Sequence, residues 1–469
     1  MVIQQQTHDE SLRTFEPPMR FDLTADEVPT HWYNIMSDLP FDLPPDLPPE
    51  RYNSTNPQDG IKAQVPLELI RQSISKRRDI QIPDQVRSIY QQWRPTPLYR
   101  ATRLEAALQT PAHIYYKYEG NNSSGSHKLN TAIAQAYYYK QAGIQRLTTG
   151  TGAGQWGTAL AMACHTFGMQ CKVYMVDISY QQKPYRKVMM QMYDGNVVPS
   201  PSPDTKVGAE MRKDPNARGN LAFAITEALE DALSRDDTRF CVGSGEAYSI
   251  LHQTIIGLEA RAQMQKAGEM PDVVIASMGA GSNFGGISFP FLRDRLLGQS
   301  NVRCISVEPS ACPKLTRGTY RYDATDSSGV TPLQKMYTLG QAFVASEIHA
   351  GGLRYHACAK IISALYYHHY IEAVAYQQPQ TFQSGVLFSQ LEGIVPAPES
   401  AHAVHGAIME AVKARTEQTH PVILFCLSGH GLFDMSAYDA YLQGKLQDVS
   451  ITDEQIAASL AELPVIKEL

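Results

Sequence analysis

From Arg94-Pro95-Thr96-Pro97 onward, short apolar runs alternate with amphipathic stretches, and that rhythm leaves few folds open. The runs Ile114–Tyr118, Cys171–Val176, Val273–Ser277, Arg303–Val307 and Val422–Leu427 are each short, rich in β-branched or aromatic residues, and bounded by polar or glycine residues. They predict strands, and the stretches between them predict covering helices, the βα order of a parallel sheet. Thr131–Ala142 predicts a helix stopped by Gly143 and Trp156–Phe167 one stopped by Gly168, because glycine just past the last turn takes the left-handed conformation that ends a helix. In open parallel sheets the loops beyond the carboxyl ends of the strands share one crevice, so motifs distant in sequence can form one site.

At 469 residues, 43% of them hydrophobic, two domains are expected rather than one. Residues 1–93 read as an N-terminal extension. Within it Asp38-Leu-Pro-Phe-Asp-Leu-Pro-Pro-Asp-Leu-Pro-Pro-Glu50 carries five prolines, which block helix and ladder bonding and predict an extended arm across a surface or a partner subunit. A net charge of −6 without blocks of like charge argues against nucleic acid or a membrane surface as partner. Seven scattered cysteines without a Cys-x-x-Cys pair argue against a disulfide framework or a zinc site. His368 and His369 are adjacent and face different ways on a helix, so no metal is expected there. Met1–Glu10 is polar and no run reaches the ~18 apolar residues of a membrane span, so a cytoplasmic protein is expected.

Four loops carry residue types with chemistry. Lys128 follows Gly125-Ser126-His127 and precedes Asn130 at a predicted helix start, where free N–H groups favour an anion and depress a nearby ammonium, which suits an imine-forming lysine. A surface lysine after a glycine turn is the plain alternative. Gly279-Ala280-Gly281-Ser282-Asn283 follows the strand Val273–Ser277, and its small residues let amides approach a phosphate that His127 also reaches. Thr151-Gly152-Ala153-Gly154-Gln155 reads as a loop of amides that grips a carboxylate. Ser428 follows the last strong strand; a neutral hydroxyl at a cofactor ring nitrogen favours β-elimination and β-replacement over transamination. Each loop alone is often only a turn. Together they point to pyridoxal phosphate.

With Val307-Glu308-Pro309, Leu315-Thr316-Arg317-Gly318, His349-Ala-Gly-Gly-Leu-Arg-Tyr-His356, Pro396-Ala-Pro-Glu-Ser-Ala-His402 and Leu427-Ser-Gly-His-Gly431, these motifs stand in an order that resembles the tryptophan synthase β-subunit family, in its longer second branch, from about Arg94 to about Leu442. The resemblance implies the type II pyridoxal-phosphate fold: two α/β domains with parallel sheets, 94–245 and 246–469, and the cofactor between them, usually in a homodimer. It implies Lys128 as the Schiff-base lysine, with His127, Asn130, Gly279, Ala280, Gly281, Ser282, Asn283, Glu308 and Ser428 around the cofactor. Thr151, Gly152, Ala153, Gly154 and Gln155 would hold the α-carboxylate. The implied reaction is β-replacement on L-serine or an activated serine through an aminoacrylate, with indole giving L-tryptophan by default. The long branch commonly works without an α-subunit, and a monovalent cation is the second candidate cofactor.

Two departures bear on that expectation. Gly150 stands where the family has a glutamate that assists the leaving hydroxyl and the proton chemistry of indole, and Glu246-Ala247-Tyr248 stands where long-branch relatives usually have Leu-Asn-His. On one reading the acid/base role has moved to Glu246. On the other, Glu246 is a solvated loop residue and Gly150 enlarges the pocket. The loss of the glutamate points to a different nucleophile or donor. The alternatives are a serine/threonine ammonia-lyase that releases a 2-oxo acid, or a catalytically impaired protein that binds pyridoxal phosphate. A milder difference is Asn122-Ser123-Ser124, where the family often has a proline.

Overall fold

The computed structural model describes residues 19–48, 64–214, 219–327, 331–449, 451–464 and 466. The polar start Met1–Glu10 and the last two residues of the proline run, Pro49 and Glu50, lie outside them.

Two sheets carry the chain. The larger has seven strands: β1 (Met19–Phe21), β2 (Leu98–Arg100), β3 (His113–Tyr118), β8 (Val273–Ser277), β9 (Arg303–Pro309), β10 (Glu372–Tyr376) and β11 (Val422–Leu427). Their spatial order is β1-β2-β3-β11-β8-β9-β10. The two edge pairings β1–β2 and β2–β3 are antiparallel, and the rest are parallel. The smaller sheet is wholly parallel, with four strands in the order β6 (Gly195–Ser200), β5 (Gln170–Val176), β4 (Arg146–Thr151), β7 (Thr238–Phe240). All five expected strands are present within three residues of the expected ends. The expected helices are α1 (Lys128–Gln141) and α2 (Gln155–Thr166), followed by Gly143 and Gly168 at φ +80° and +61°.

The strands are long apolar runs because both faces are covered. Ile275, Phe425 and Val307 pack with Ala403, Val404 and Ala407 of one helix on one face of the larger sheet, while Val274, Leu424 and Ala276 join the main core on the other. Among the described residues no helix is long and apolar enough to cross a membrane.

The expected division of the chain needs correction. Segments 94–245 and 246–469 do not take one sheet each: β3 lies beside β11, in register from His113 against Val422 to Tyr118 against Leu427. The smaller sheet is confined to 146–240 and is inserted between strands of the larger one. Local patterning reveals that a segment is a strand but not which strand it joins. Nor is 1–93 only an extension, since β1 forms an edge of the larger sheet and Trp32, Leu69, Val86 and Tyr90 are buried in the main core. The proline run as far as Pro48 lies on its own chain. Leu47 bridges Leu333, Tyr322 donates to the Pro45 carbonyl at 3.1 Å, and Asp46 pairs with Lys360 at 2.5 Å. His368 stacks on Phe41 of the same run, ring centroids 4.0 Å apart.

Candidate active site

Lys128 and Ser428 are brought together by the pairing of β3 with β11. The loops that follow these two strands are fastened to each other: Ser126 bridges Gly429, and the His127 N–H donates to the Ser428 carbonyl at 2.9 Å. Gly125 turns the first loop at φ +74°, with the His430 ring 2.7 Å from where a Cβ would stand. Lys128 then opens α1. Burial pulls its amine down to about 8, against the opposing charge of Glu399. Burial and the neighbouring Lys128 pull His127 down to about 3, so the ring is neutral. Its Nε2 is buried without a protein partner.

The Gly279–Asn283 loop leads from β8 into α5 (Ser282–Leu296), whose first N–H groups are free to hold an anion. Its glycines are needed: Gly281 sits at φ +130°, and a Cβ on Gly279 would stand 2.7 Å from the Gly352 carbonyl oxygen. Asn283 donates to the Ser277 carbonyl at 3.2 Å and leaves its Oδ1 buried without a partner. His127, Lys128, Gly279, Ala280, Gly281, Ser282, Asn283 and Ser428 all line one cavity. The Ser428 hydroxyl lies 2.6 Å from that of Ser400, which can donate to it and leave the Ser428 proton for a ligand. A buried amine of lowered pKa, an unpartnered neutral imidazole, a glycine-rich helix N-terminus and a neutral hydroxyl fit pyridoxal phosphate.

Thr151 ends β4, Gly154 turns at φ +88°, and Gln155 begins α2. Thr151, Gly152, Ala153 and Gln155 line a second cavity that also contains Lys128 and Gly150. Gly154 lies behind it as the helix cap. Gln155 donates to Glu399 at 2.9 Å, and the other carboxylate oxygen of Glu399 accepts from the Gly352 N–H at 2.8 Å. Glu399 thus ties the Thr151–Gln155 loop to the Gly352 turn, and its charge bears on Lys128. Glu399 and Ser400 fall inside the Pro396–His402 motif, but their use depends on partners far away in sequence and has no local signal.

Gly150 does not enlarge the pocket. A Cβ there would stand 2.8 Å from both the Ala224 carbonyl carbon and the Ile225 nitrogen, backbone atoms of α3 (Leu221–Leu233). The helix is tied down over β4 by the Thr148 hydroxyl, which donates to the Ala228 carbonyl at 2.7 Å. The missing side chain is filled by backbone.

Three expected site residues lie elsewhere. Asn130 is two positions beyond Lys128 on α1 and so points about 200° away around the helix. It binds Arg94, Glu119 and Gln253 in a buried polar network. Glu308 caps the following loop, accepting from the N–H groups of Leu315 and Thr316 at 3.1 and 2.8 Å. Glu246 does not line the cavity; of its segment, Val242, Gly243 and Ser244 do. Gly245 turns the chain at φ +97°, and Glu246 caps α4 (Ala247–Gln253) with part of its surface open. Its carboxyl is nonetheless pushed up to about 7, first by burial and then by Asp46, with Lys360 opposing.

The geometry accords with comparisons to known proteins. A family model described as pyridoxal-phosphate dependent enzyme matches residues 89–429. The chain is 52% identical to tryptophan synthase beta chain 2 of Methanosarcina mazei over 91% of its own length and 96% of that protein. It is 53% identical to tryptophan synthase beta chain 2 of Aquifex aeolicus, over 92% and 100%. The chain belongs to the tryptophan synthase β-chain family. Another member, tryptophan synthase beta chain of Pyrococcus horikoshii, is 52% identical over 91% of this chain and 93% of that one.

Among solved structures, a fungal L-serine ammonia-lyase from Rhizomucor miehei matches with a TM-score of 0.57 at 14% identity, over 75% of this chain and 98% of that one. A threonine deaminase from T.th. matches with a TM-score of 0.51 at 18% identity, over 71% and 91%. These likenesses show the shared type II fold. The tryptophan synthase β family accounts for the two-sheet architecture and for the cofactor, pyridoxal phosphate.

Proposed function

We propose that the chain carries out β-replacement on L-serine or an activated serine and joins it to a nucleophile that needs no carboxylate from the enzyme. The observation behind this is the lining of the cavity beyond Lys128. Its walls are Trp156, Leu221, Ile225, Phe240 and Val242, its polar side chains beside Lys128 are Thr149, Thr151, Gln155, Ser244, Thr325 and Tyr355, and among the described residues no Asp or Glu lines it. A positioned acid or base contributes ~10²–10⁴-fold, so a substrate pair that makes little use of one is favoured.

When bound, pyridoxal phosphate supplies the electron sink that acidifies the α-proton and lets the β-substituent leave. The protein groups do the rest. The N–H groups of the Thr151–Gln155 loop hold the amino acid's carboxylate, and Gln155 is fixed by Glu399. The Lys128 amine takes the α-proton. The Ser428 hydroxyl would meet the cofactor's ring nitrogen as a neutral partner, with Ser400 beside it. Trp156 and Phe240 offer flat faces to an apolar ring, and Leu221 and Ile225 of α3 close one side of the cavity.

The cavity of about 490 Å³ outside Gly152 contains Arg354, which donates to the Ser179 hydroxyl at 2.9 Å. This cation supports a donor whose leaving group is an anion better than hydroxide. In the same reading the protein works in the cytoplasm as a homodimer without an α-subunit. Its seven free, buried cysteines suit a reducing compartment, and exposed Tyr185, Met192, Leu432 and Met435 suit self-association.

The test is to mix holo-protein with L-serine, and separately with O-phospho-L-serine, with and without indole, and identify the products. A coupled amino acid formed faster from the phosphorylated donor supports the proposal. Brisk tryptophan formation from serine and indole overturns the shift away from the ordinary pair. Pyruvate and ammonia with every nucleophile tried means an ammonia-lyase.

A further inference from the structure

Lys314 is fully buried, and its ammonium donates to three backbone carbonyls, those of Met278, Cys312 and Leu353, each at 3.3 Å. Three donors meet three acceptors. The three distances are equal, so the nitrogen is centred among the three oxygens rather than committed to one of them. Glu308 supports the charge from further away while its carboxylate is held by Leu315 and Thr316.

The three carbonyls come from three segments that meet at the cofactor pocket. Met278 immediately precedes the Gly279–Asn283 loop. Leu353 closes the Gly351–Leu353 turn, in which Gly352 packs on Gly279 and binds Glu399. Cys312 lies in the loop after β9. A ring of carbonyls is the ligand set that holds a monovalent cation, and a lysine ammonium is such a cation on a stem.

We infer that the Lys314 ammonium is a tethered internal monovalent cation that holds the phosphate loop and the Gly352 turn in register, so that the protein needs no dissolved K⁺, Na⁺ or NH₄⁺. Lys314 is a positioning residue, and its role for the cofactor rests on the Gly279–Asn283 loop being the phosphate cradle.

The test compares wild type, Lys314→Ala and Lys314→Met in tetramethylammonium chloride, KCl and NH₄Cl at equal ionic strength. Two quantities are read: the thermal midpoint of the apo-protein and the dissociation constant for pyridoxal phosphate. Wild type should respond alike to all three salts. Lys314→Ala in tetramethylammonium should melt lower and hold the cofactor about 10-fold or more weakly, since buried carbonyls lose their partner. KCl or NH₄Cl should restore it saturably. Lys314→Met, with an apolar side chain in the cage, should be weakened and not restored.

A saturable K⁺ or NH₄⁺ requirement in wild type overturns the inference, even if neither variant folds. So does a folded Lys314→Ala protein that no cation restores. If wild type binds no pyridoxal phosphate, the proposed function fails, while the apo-protein midpoints still decide the role of Lys314.

Discussion

The backbone of Ala224 stands 2.8 Å from where a side chain on Gly150 would begin, so the strand and helix α3 are fitted to the absence of that side chain. Any side chain added at this position meets backbone atoms of α3.

Gly150→Glu is therefore expected to lower stability without restoring family chemistry. Even Gly150→Ala should cost about 1–3 kcal/mol, because a backbone helix rather than a flexible side chain must move. Denaturant unfolding checks the first part and product formation from serine and indole the second. A fully stable Gly150→Glu protein with faster tryptophan formation would show that α3 yields easily.

The Lys128 amine, pulled down to about 8, is expected to set the pH at which apo-protein captures pyridoxal phosphate. Only the neutral amine attacks the cofactor aldehyde, and the neutral fraction rises as pH passes upward through the pKa. Capture, followed by visible absorbance, should reach half its maximum near pH 8 rather than near the ordinary ~10.4. Glu399 raises this pKa, so Glu399→Gln should move the midpoint to lower pH. An unmoved midpoint would separate Glu399 from Lys128.

Glu246, pushed up to about 7, should weaken the fold as pH rises. Between the ordinary carboxylate value and 7 the folded protein keeps a proton that the unfolded chain has lost, so stability falls with rising pH across that window. The penalty is complete above about 7. Glu246→Gln should stabilise the protein at about pH 8 and have little effect at about pH 4. Equal midpoints for both proteins at the higher pH would mean that the carboxylate is well solvated.

Activity of the same Glu246→Gln protein is a separate check. Glu246 is absent from the cavity lining, so kcat at about pH 8 should change less than twofold. A fall of ~10²-fold would return it to the role of acid/base.

The strands that carry Lys128, the phosphate loop and Ser428 are legible because their apolar runs are buried on both faces and end in small residues. β4, the strand that carries Gly150, is not: Leu147-Thr148-Thr149-Gly150-Thr151 looks like a loop until its hydroxyls find the carbonyls of Ala228 and Cys241. Asn130 misleads because nearness in sequence to Lys128 puts it on the far side of the same helix. Glu246 misleads because a single glycine, Gly245, turns it away from Ser244. Glu399 and Lys314 act only through distant backbone groups, and the position of α3 over Gly150 is a tertiary fact with no local trace.

The loops of β3 and β11 that hold Lys128 and Ser428 are fastened to each other within the larger sheet, whereas the Thr151–Gln155 loop belongs to the smaller, inserted one. Heritable change can therefore act on the two halves separately. Substitutions confined to 146–240 can alter the wall that α3 forms while the fastened loops of the larger sheet stay as they are.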